Sequence, residues 1–352
     1  MGGIMVRDLC FEIIQKCPNE CVFCSSNASY HEDTSISLEM FKKVIDHFMK
    51  FGGIYEVSLS GGEPFLHPDL YSMILYCKTL GIRTVLFTSG VRRNIRLNDF
   101  EMAMLDQKVE QRYWNWPIEE RKKAVKWEHE INLRANQREF NAIYRDEMNY
   151  LKWAGVDKIV FDLQGSSAET YQGLMGTDHF DYVMTSIMRA HVAGLKTDVH
   201  FVPMKKNYLE FPELLEMLNI AGADSLSILN FVPQGRGLEN QESLMLSDEE
   251  MASFRKIFLA SQDSFHGKIR IGIPLLGEDL HKCTAGFGKL VIKYDGTVLP
   301  CPAFKEYDIG KLRKIGIPVW NIYEDLDKIC VYEGTRSKPL CKKLYQMDRS
   351  IC

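Results

Sequence analysis

The chain lacks any apolar run near the roughly 20 residues that a membrane-crossing helix requires. Its first residues, Met1-Gly2-Gly3-Ile4-Met5-Val6-Arg7-Asp8, have neither the charged start nor the apolar stretch of a secretory signal. Both absences point to the cytoplasm. It also lacks a strong charge of either sign: the formal net charge is -4 with acids and bases interspersed. No basic stripe is offered to a nucleic-acid backbone, so neither nucleic acid nor a membrane is expected as a partner. Internal repeats and low-complexity stretches are missing, which leaves a globular chain of 352 residues, 45% hydrophobic, able to bury a sizeable core.

Cysteine is what the chain has in quantity. Ten of them would be out of place as disulfides in a reducing compartment, so ligation of metal or a cluster is the better reading of several. They fall into Cys10, Cys17, Cys21 and Cys24 near the start and Cys283, Cys301, Cys330, Cys341 and Cys352 near the end, with Cys77 between. Two sites are implied. Cys10 and Cys77 fall in a strand and a helix pattern and are expected in the core.

From residue 8 to about 232, short β-rich runs alternate with amphipathic helical patterns, as in βα units around a parallel sheet. Strands are expected at 8–15, 55–60, 83–87, 158–163, 196–201 and 225–231. Helices are expected at 38–50, 70–79, 180–193 and 211–220, the first capped by Ser37 with Leu38, Phe41, Ile45 and Phe48 on one stripe. The fold class is α/β, a partial (β/α)6 TIM-like barrel in which ligands gather at the carboxyl ends of the strands. Domain bounds are expected at 1–265 for the barrel and 266–352 for a small extension of hairpin and helix, where Asp295-Gly296 marks a tight turn. A helical insertion at about 91–154 carries Trp114, Trp116 and Trp127, with Pro117 opening a helix. It reads either as a solvated hairpin pinned down by its tryptophans or as a lid or docking surface.

Cys17-Pro18-Asn19-Glu20-Cys21-Val22-Phe23-Cys24 presents three thiols in one loop. Three ligands on a four-iron cubane leave one iron open, whereas ferredoxins supply four cysteines and close it. An open metal position is what chemistry on a bound ligand requires.

This C-x3-C-x2-C loop resembles that of the radical S-adenosylmethionine family, and further motifs follow it in order. Ser60-Gly61-Gly62-Glu63-Pro64 resembles the family's GGE motif, which meets the methionine ammonium of the cofactor. Thr88-Ser89-Gly90 stands where relatives have Thr-Asn-Gly, and Asp162-Leu163-Gln164-Gly165 departs from their Ser-Leu-Asp-Gly. Asn207, and Arg236 in Gly235-Arg236-Gly237, match later loops. The resemblance implies a catalytic [4Fe-4S] cluster on Cys17, Cys21 and Cys24. It implies S-adenosylmethionine against Phe23, Gly61, Gly62, Glu63, Pro64, Ser89, Asp162, Gln164, Asn207 and Arg236, with Gln164 as a ribose partner. His67 is expected to pack a turn.

Cys283, twelve residues, Gly296, four residues and Cys301 resemble the opening of a twitch or SPASM extension, which implies a second, auxiliary [4Fe-4S] cluster. The rest of the SPASM cysteine run is missing. One auxiliary cluster on Cys283, Cys301, Cys341 and Cys352 is expected, with Cys330 in reserve; a cluster-free cap with inert thiols is the alternative. A Cys330 left free is a candidate catalytic hydrogen-atom donor.

The activity implied is reductive cleavage of S-adenosylmethionine to a 5′-deoxyadenosyl radical, fed by a flavodoxin- or ferredoxin-type electron donor. The substrate expected is a ribosomally made peptide or peptide-like product. Only sixteen residues precede Cys17, short of the leader-binding domain that many peptide-modifying relatives carry, and the molybdopterin cyclase's Gly-Arg-Arg tail is absent. An epimerase or dehydrogenase of a sugar-type small molecule is the alternative. A protein that kept the fold as an electron carrier or binder is a third class, which an open-iron loop argues against.

Overall fold

The computed structural model describes residues 6–273, 275, 283–305 and 309–328. Two compact units emerge, Arg92–Asn141 and the rest of the chain.

The larger unit is built on parallel strands β1 (Asp8–Ile14), β2 (Glu56–Gly61) and β3 (Arg83–Thr88). The short strands β4 (Val91–Arg93) and β5 (Phe140–Ala142) form a separate two-stranded sheet that brackets the insertion. Then follow β6 (Lys158–Asp162), β7 (Thr197–Phe201), β8 (Ser225–Ile228) and β9 (Lys268–Ile271). The chain closes with β10 (Lys289–Ile292), β11 (Thr297–Leu299) and β12 (Trp320–Asn321). The sheet order is β12-β11-β10-β1-β2-β3-β6-β7-β8-β9. From β10 to β9 every pairing through β1 is parallel, and only the pairings of β11 with β10 and with β12 are antiparallel. Six of the strands are those expected from the sequence, and they form the partial barrel.

The helices that cover it follow their sequence signals. In the helix Leu38–Lys50 the Ser37 hydroxyl accepts from Met40 N at 3.2 Å, and Phe41, Val44, Ile45 and Phe48 are buried. Leu70–Thr79 and Phe211–Ala221 bury comparable apolar stripes. Strands sealed by helices on one side and a filled interior on the other read as near-continuous apolar runs, as in Val85, Leu86, Ile159, Val160 and Phe161.

Past residue 265 the barrel sheet continues. β9 adds a seventh parallel strand beyond β8, exposing Lys268 and Arg270 at the open edge in alternation with Ile269 and Ile271. β10 then returns to the far side and pairs with β1, so the extension is continuous with the barrel sheet. The hairpin turn falls at Asp295-Gly296, with Gly296 at φ +83°.

In the smaller unit the helix Asp99–Arg112 buries Met102 and Val109, while the helix Ile118–Gln137 has no fully buried residue. Polar contacts join the two: Arg112 pairs with Glu128, and His129 Nδ1 lies 2.9 Å from Asp106. The tryptophans do not pin the hairpin down. Trp114, Trp116 and Trp127 are 65%, 50% and 63% exposed. Asp106, Glu128 and His129 join the two helices by polar contacts, and the buried apolar side chains are the smaller Met102 and Val109 rather than the tryptophans. No helix among the described residues is long and apolar enough to cross a membrane.

Candidate active site

The carboxyl ends of the barrel strands open into one cavity of about 350 Å³. Its wall is made by the loop after β1, the ends of β2, β3 and β6, and the residues just past β7 and β8. Cys17, Cys21 and Cys24 all border it, as do Phe23, Gly61, Gly62, Ser89 and Asp162.

Each wall has a local cause. The cysteine loop is tied at both ends: Cys17 N donates to Ser29 O, and Glu20 N and Val22 N donate to Met175 O and Leu174 O at the end of the helix Ala168–Met175. Asn19 is buried within it and accepts from Thr177 Oγ1 at 2.9 Å. Burial pushes the Cys17 and Cys21 thiols well above their ordinary range.

Gly61 and Gly62 are fixed by the neighbouring strand. A Cβ on Gly61, at φ +127°, would stand 2.3 Å from Ile14 O, and one on Gly62 would stand 2.1 Å from Lys16 O. Gly62 N and Glu63 N donate to those same carbonyls at 2.6 and 2.8 Å. The glycines let the end of β2 lock onto the start of the cysteine loop.

Glu63 faces inward from that turn and is fully buried. Its carboxylate accepts from Thr88 Oγ1, Ser89 N, Ser89 Oγ and Phe65 N at 2.6 to 3.0 Å. Burial still wins, and pushes the carboxyl up to about 7.

Several expected cofactor contacts stand behind the wall. Gln164 is buried, with Nε2 on His200 O at 3.1 Å and Oε1 accepting from Val202 N at 2.8 Å. Asn207 holds the loop after β7, accepting from Met204 N and donating to Gln164 O. Arg236 approaches the cysteine loop: Nε donates to Cys21 O and Nη2 to Ala28 O, both at 2.8 Å. Gly235 lies so close that a Cβ would meet Cys24 O at 2.6 Å. Pro64 opens a short turn beneath the cavity, and His67 packs a turn, with Nε2 2.9 Å from Ile36 O and Nδ1 accepting from Asp69 N.

Three cavity residues had no motif to mark them. Lys305 reaches in from the extension, paired with the buried Glu12 of β1 and 3.2 Å from Ser26 Oγ. His200 borders the cavity from β7, and burial lowers it to about 4, so it is neutral. The third is Met175, whose sulfur lies 3.8 Å from Cys21 Sγ. Asp162, enclosed by protein but open to the cavity, is raised by burial to about 6.

A family model described as the radical SAM superfamily matches residues 11–111, which hold β1, the cysteine loop, the Gly61-Gly62-Glu63 turn and Thr88-Ser89-Gly90. Over that stretch the chain is similar to the radical SAM superfamily.

Among its curated relatives is the PqqA peptide cyclase of Gluconobacter oxydans (strain 621H), 22% identical over 303 residues, covering 83% of this chain and 69% of the cyclase. A probable GTP 3′,8-cyclase of Saccharolobus islandicus (strain M.14.25 / Kamchatka #1) is 26% identical over 239 residues, covering 67% of this chain and 60% of the relative. Among solved structures, Streptococcus suis SuiB bound to precursor peptide SuiA superposes with a TM-score of 0.58 at 16% identity, over 92% of this chain and 64% of that one. The same protein bound to S-adenosylmethionine gives 0.57 at 17% identity, over 92% and 65%. The chain spans just under two thirds of SuiB, and the match shows a shared fold.

A site of the radical SAM kind takes a [4Fe-4S] cluster and S-adenosylmethionine, and the donor set here fits them. Among the described residues no three His, Cys, Asp or Glu groups converge on a single ion. A cubane asks for something else: each thiolate takes a different iron, so its ligands border a space, as Cys17, Cys21 and Cys24 do. Of the second group, Cys283 and Cys301 pack in one small apolar cluster of the extension. Cys330, Cys341 and Cys352 lie outside the described residues.

Proposed function

We propose that this chain is a cytoplasmic radical SAM enzyme that modifies a peptide or peptide-like natural product. The observation that carries the reading is the placement of three thiols from one loop around a single cavity that Gly61, Gly62, Ser89 and Asp162 also line. When bound at Cys17, Cys21 and Cys24, the cluster and S-adenosylmethionine together supply a 5′-deoxyadenosyl radical, which takes a hydrogen atom from the substrate.

The chain's own residues prepare that event. Gly61 and Gly62 present backbone to the cofactor, and Glu63 orders the floor through Thr88 and Ser89. Ser89 and Asp162 offer the polar contacts at the wall, with Phe23 beside the adenine, while Gln164, Asn207 and Arg236 hold the loops that carry them. Cys283 and Cys301 hold an auxiliary [4Fe-4S] cluster. The electron comes from a flavodoxin- or ferredoxin-type donor. Peptide chemistry is supported by the peptide cyclase relative and by the fold shared with SuiB.

Anaerobic reconstitution with iron and sulfide, then dithionite and S-adenosylmethionine, tests the reading. The expected result is 5′-deoxyadenosine from the wild type and none from Cys24→Ala. A short peptide encoded beside this gene should emerge with altered mass. Reconstituted protein that yields no 5′-deoxyadenosine would sink the enzyme reading, and one that modifies only a small molecule would sink the peptide.

A further inference from the structure

The ten cysteines contain one that belongs to neither expected ligand set yet stands beside one of them. Cys10 lies on β1, paired with Val291 of β10 on one side and Ser58 of β2 on the other. Strand alternation puts its side chain on the face that carries Asp8 and Glu12, opposite Leu9, Phe11 and Ile13. There it packs on the same small cluster as Cys283 and Cys301.

We propose that Cys10 is a third protein ligand of the auxiliary cluster, joining Cys283 and Cys301. The inference rests on the auxiliary-cluster reading and extends it to a residue from the barrel itself.

Two observations separate Cys10 from an ordinary core thiol. The first is space. Cys77 shows what an inert cysteine looks like here: it is sealed at 0% exposure among the aliphatic residues of the main core. Cys10 sits on a central strand of the sheet, flanked on both sides, and still keeps accessible surface, as does Cys301. Cys10 and Cys301 are thus half-buried rather than sealed, in the cluster that also holds the buried Cys283. The second is charge. Lys289, bonded to Asp8 at 2.7 Å, lies within electrostatic reach of both Cys10 and Cys301, and Lys305 within reach of Cys10 and Cys301 as well. Each ammonium is paired with a carboxylate of β1, Lys289 with Asp8 and Lys305 with Glu12, and both still stand beside the thiols, where they would help to balance an anionic cluster held by thiolates. Each thiol binds as thiolate and releases its proton on loading.

Topology explains why the three can meet. β10 pairs with β1 in parallel, β11 turns back against β10, and Cys301 follows β11 directly, while Cys283 precedes β10. β10 lies between β1 and β11, and Cys10, Cys283 and Cys301 pack on the one apolar cluster that the hairpin forms beside β1. Ligands contributed by both the barrel and the extension make loading of the auxiliary site report on docking of the hairpin against β1.

The test uses the full chain with Cys17, Cys21 and Cys24 changed to Ala, so that only auxiliary iron remains. After anaerobic reconstitution this background should hold about four irons per chain and give an EPR signal on reduction. Adding Cys10→Ala should remove most of that iron or leave a three-iron EPR signature, and Cys10→Ser should keep iron with shifted g-values. Cys77→Ala should change neither, and circular dichroism shows whether each variant folds. Full iron and an unaltered EPR signal in both Cys10 variants would overturn the assignment while leaving the auxiliary cluster intact. A background with no iron would overturn the auxiliary cluster, and Cys10 with it.

Discussion

Ser89 meets Glu63 twice, donating from its hydroxyl at 2.6 Å and from its backbone N–H at 2.7 Å to the same carboxylate oxygen. A buried acid gripped this way is stabilised as an anion by its donors and destabilised by lost solvation. Since the group settles at about 7, desolvation is the larger effect. The folded chain therefore binds a proton there that the unfolded chain, at about 4.5, releases earlier. The penalty for ionising Glu63 grows as pH rises from about 4.5 to 7 and is constant above. Over that window the stability of the cluster-free protein should fall relative to Glu63→Gln by about 3 kcal/mol. Paired guanidinium melts at pH 4.5, 6 and 8 read this difference, and a difference that does not change with pH would contradict the burial argument.

Gly62 permits no side chain. Backbone carbonyls of Gln15 and Lys16 would stand 2.4 and 2.1 Å from a Cβ, and backbone cannot swing aside as a flexible side chain can. Gly62→Ala should pry β2 from the cysteine loop and abolish iron loading at Cys17, Cys21 and Cys24. Gly173 is the control: it lies within the helix Ala168–Met175 with nothing within 4 Å of a Cβ. Gly173→Ala should leave iron loading intact and stabilise the chain by roughly 0.5–1 kcal/mol. Iron content and thermal melting of the two variants decide, and equal iron loading in both would refute the contrast.

Arg236 was legible as a motif residue, and its partners were not. Its guanidinium donates to Cys21 O and Ala28 O, groups more than two hundred residues earlier in the chain. Removing it leaves two carbonyls without charged donors, at about 1.5–3 kcal/mol for each bond. Arg236→Ala should lower cluster occupancy and speed loss of iron to a chelator. Arg236→Lys should rescue little, because an ammonium cannot span both carbonyls as the fork does. Chelation rates followed by visible absorbance measure this, and a wild-type rate in Arg236→Ala would remove the clamp from the account.

The contrast shows what the sequence disclosed and why. Periodicity resolves elements whose burial is local, so 70–79 emerged as the helix Leu70–Thr79, and 83–87 as Arg83–Thr88. Motif order located the cavity, because its wall is made at successive strand ends. Gln164 looked like a ribose partner because its loop aligns with one, yet it spends its amide on His200 O of β7 and on Val202 N just past that strand. Lys305 and Glu12 carry no local signal, since only the fold brings residues 293 positions apart into one ion pair. β9 was missed for the opposite reason: four residues with two charges at an open edge give too short an alternation to read.

Exposed tryptophans on a polar-seamed hairpin carry the last prediction. Phe100, Trp114 and Trp127 are 74%, 65% and 63% exposed, while Asp106 and His129 occupy the contact between the two helices. If these aromatics contributed to the fold, replacing them would cost several kcal/mol; as solvent-facing groups they should cost no more than about 0.5 kcal/mol. Trp127→Ser is therefore expected to leave the melting temperature and uncoupled 5′-deoxyadenosine formation unchanged. If the insertion docks the peptide substrate, the same variant should weaken peptide binding at least tenfold, since a buried tryptophan is a common anchor of such contacts. Trp114 is the stricter case, because its ring also lies 4.9 Å from the Arg121 guanidinium. A large drop in melting temperature for Trp127→Ser would return the residue to the hairpin's own packing. Unchanged peptide affinity in both Trp127→Ser and Trp114→Ser would remove the insertion from substrate recognition.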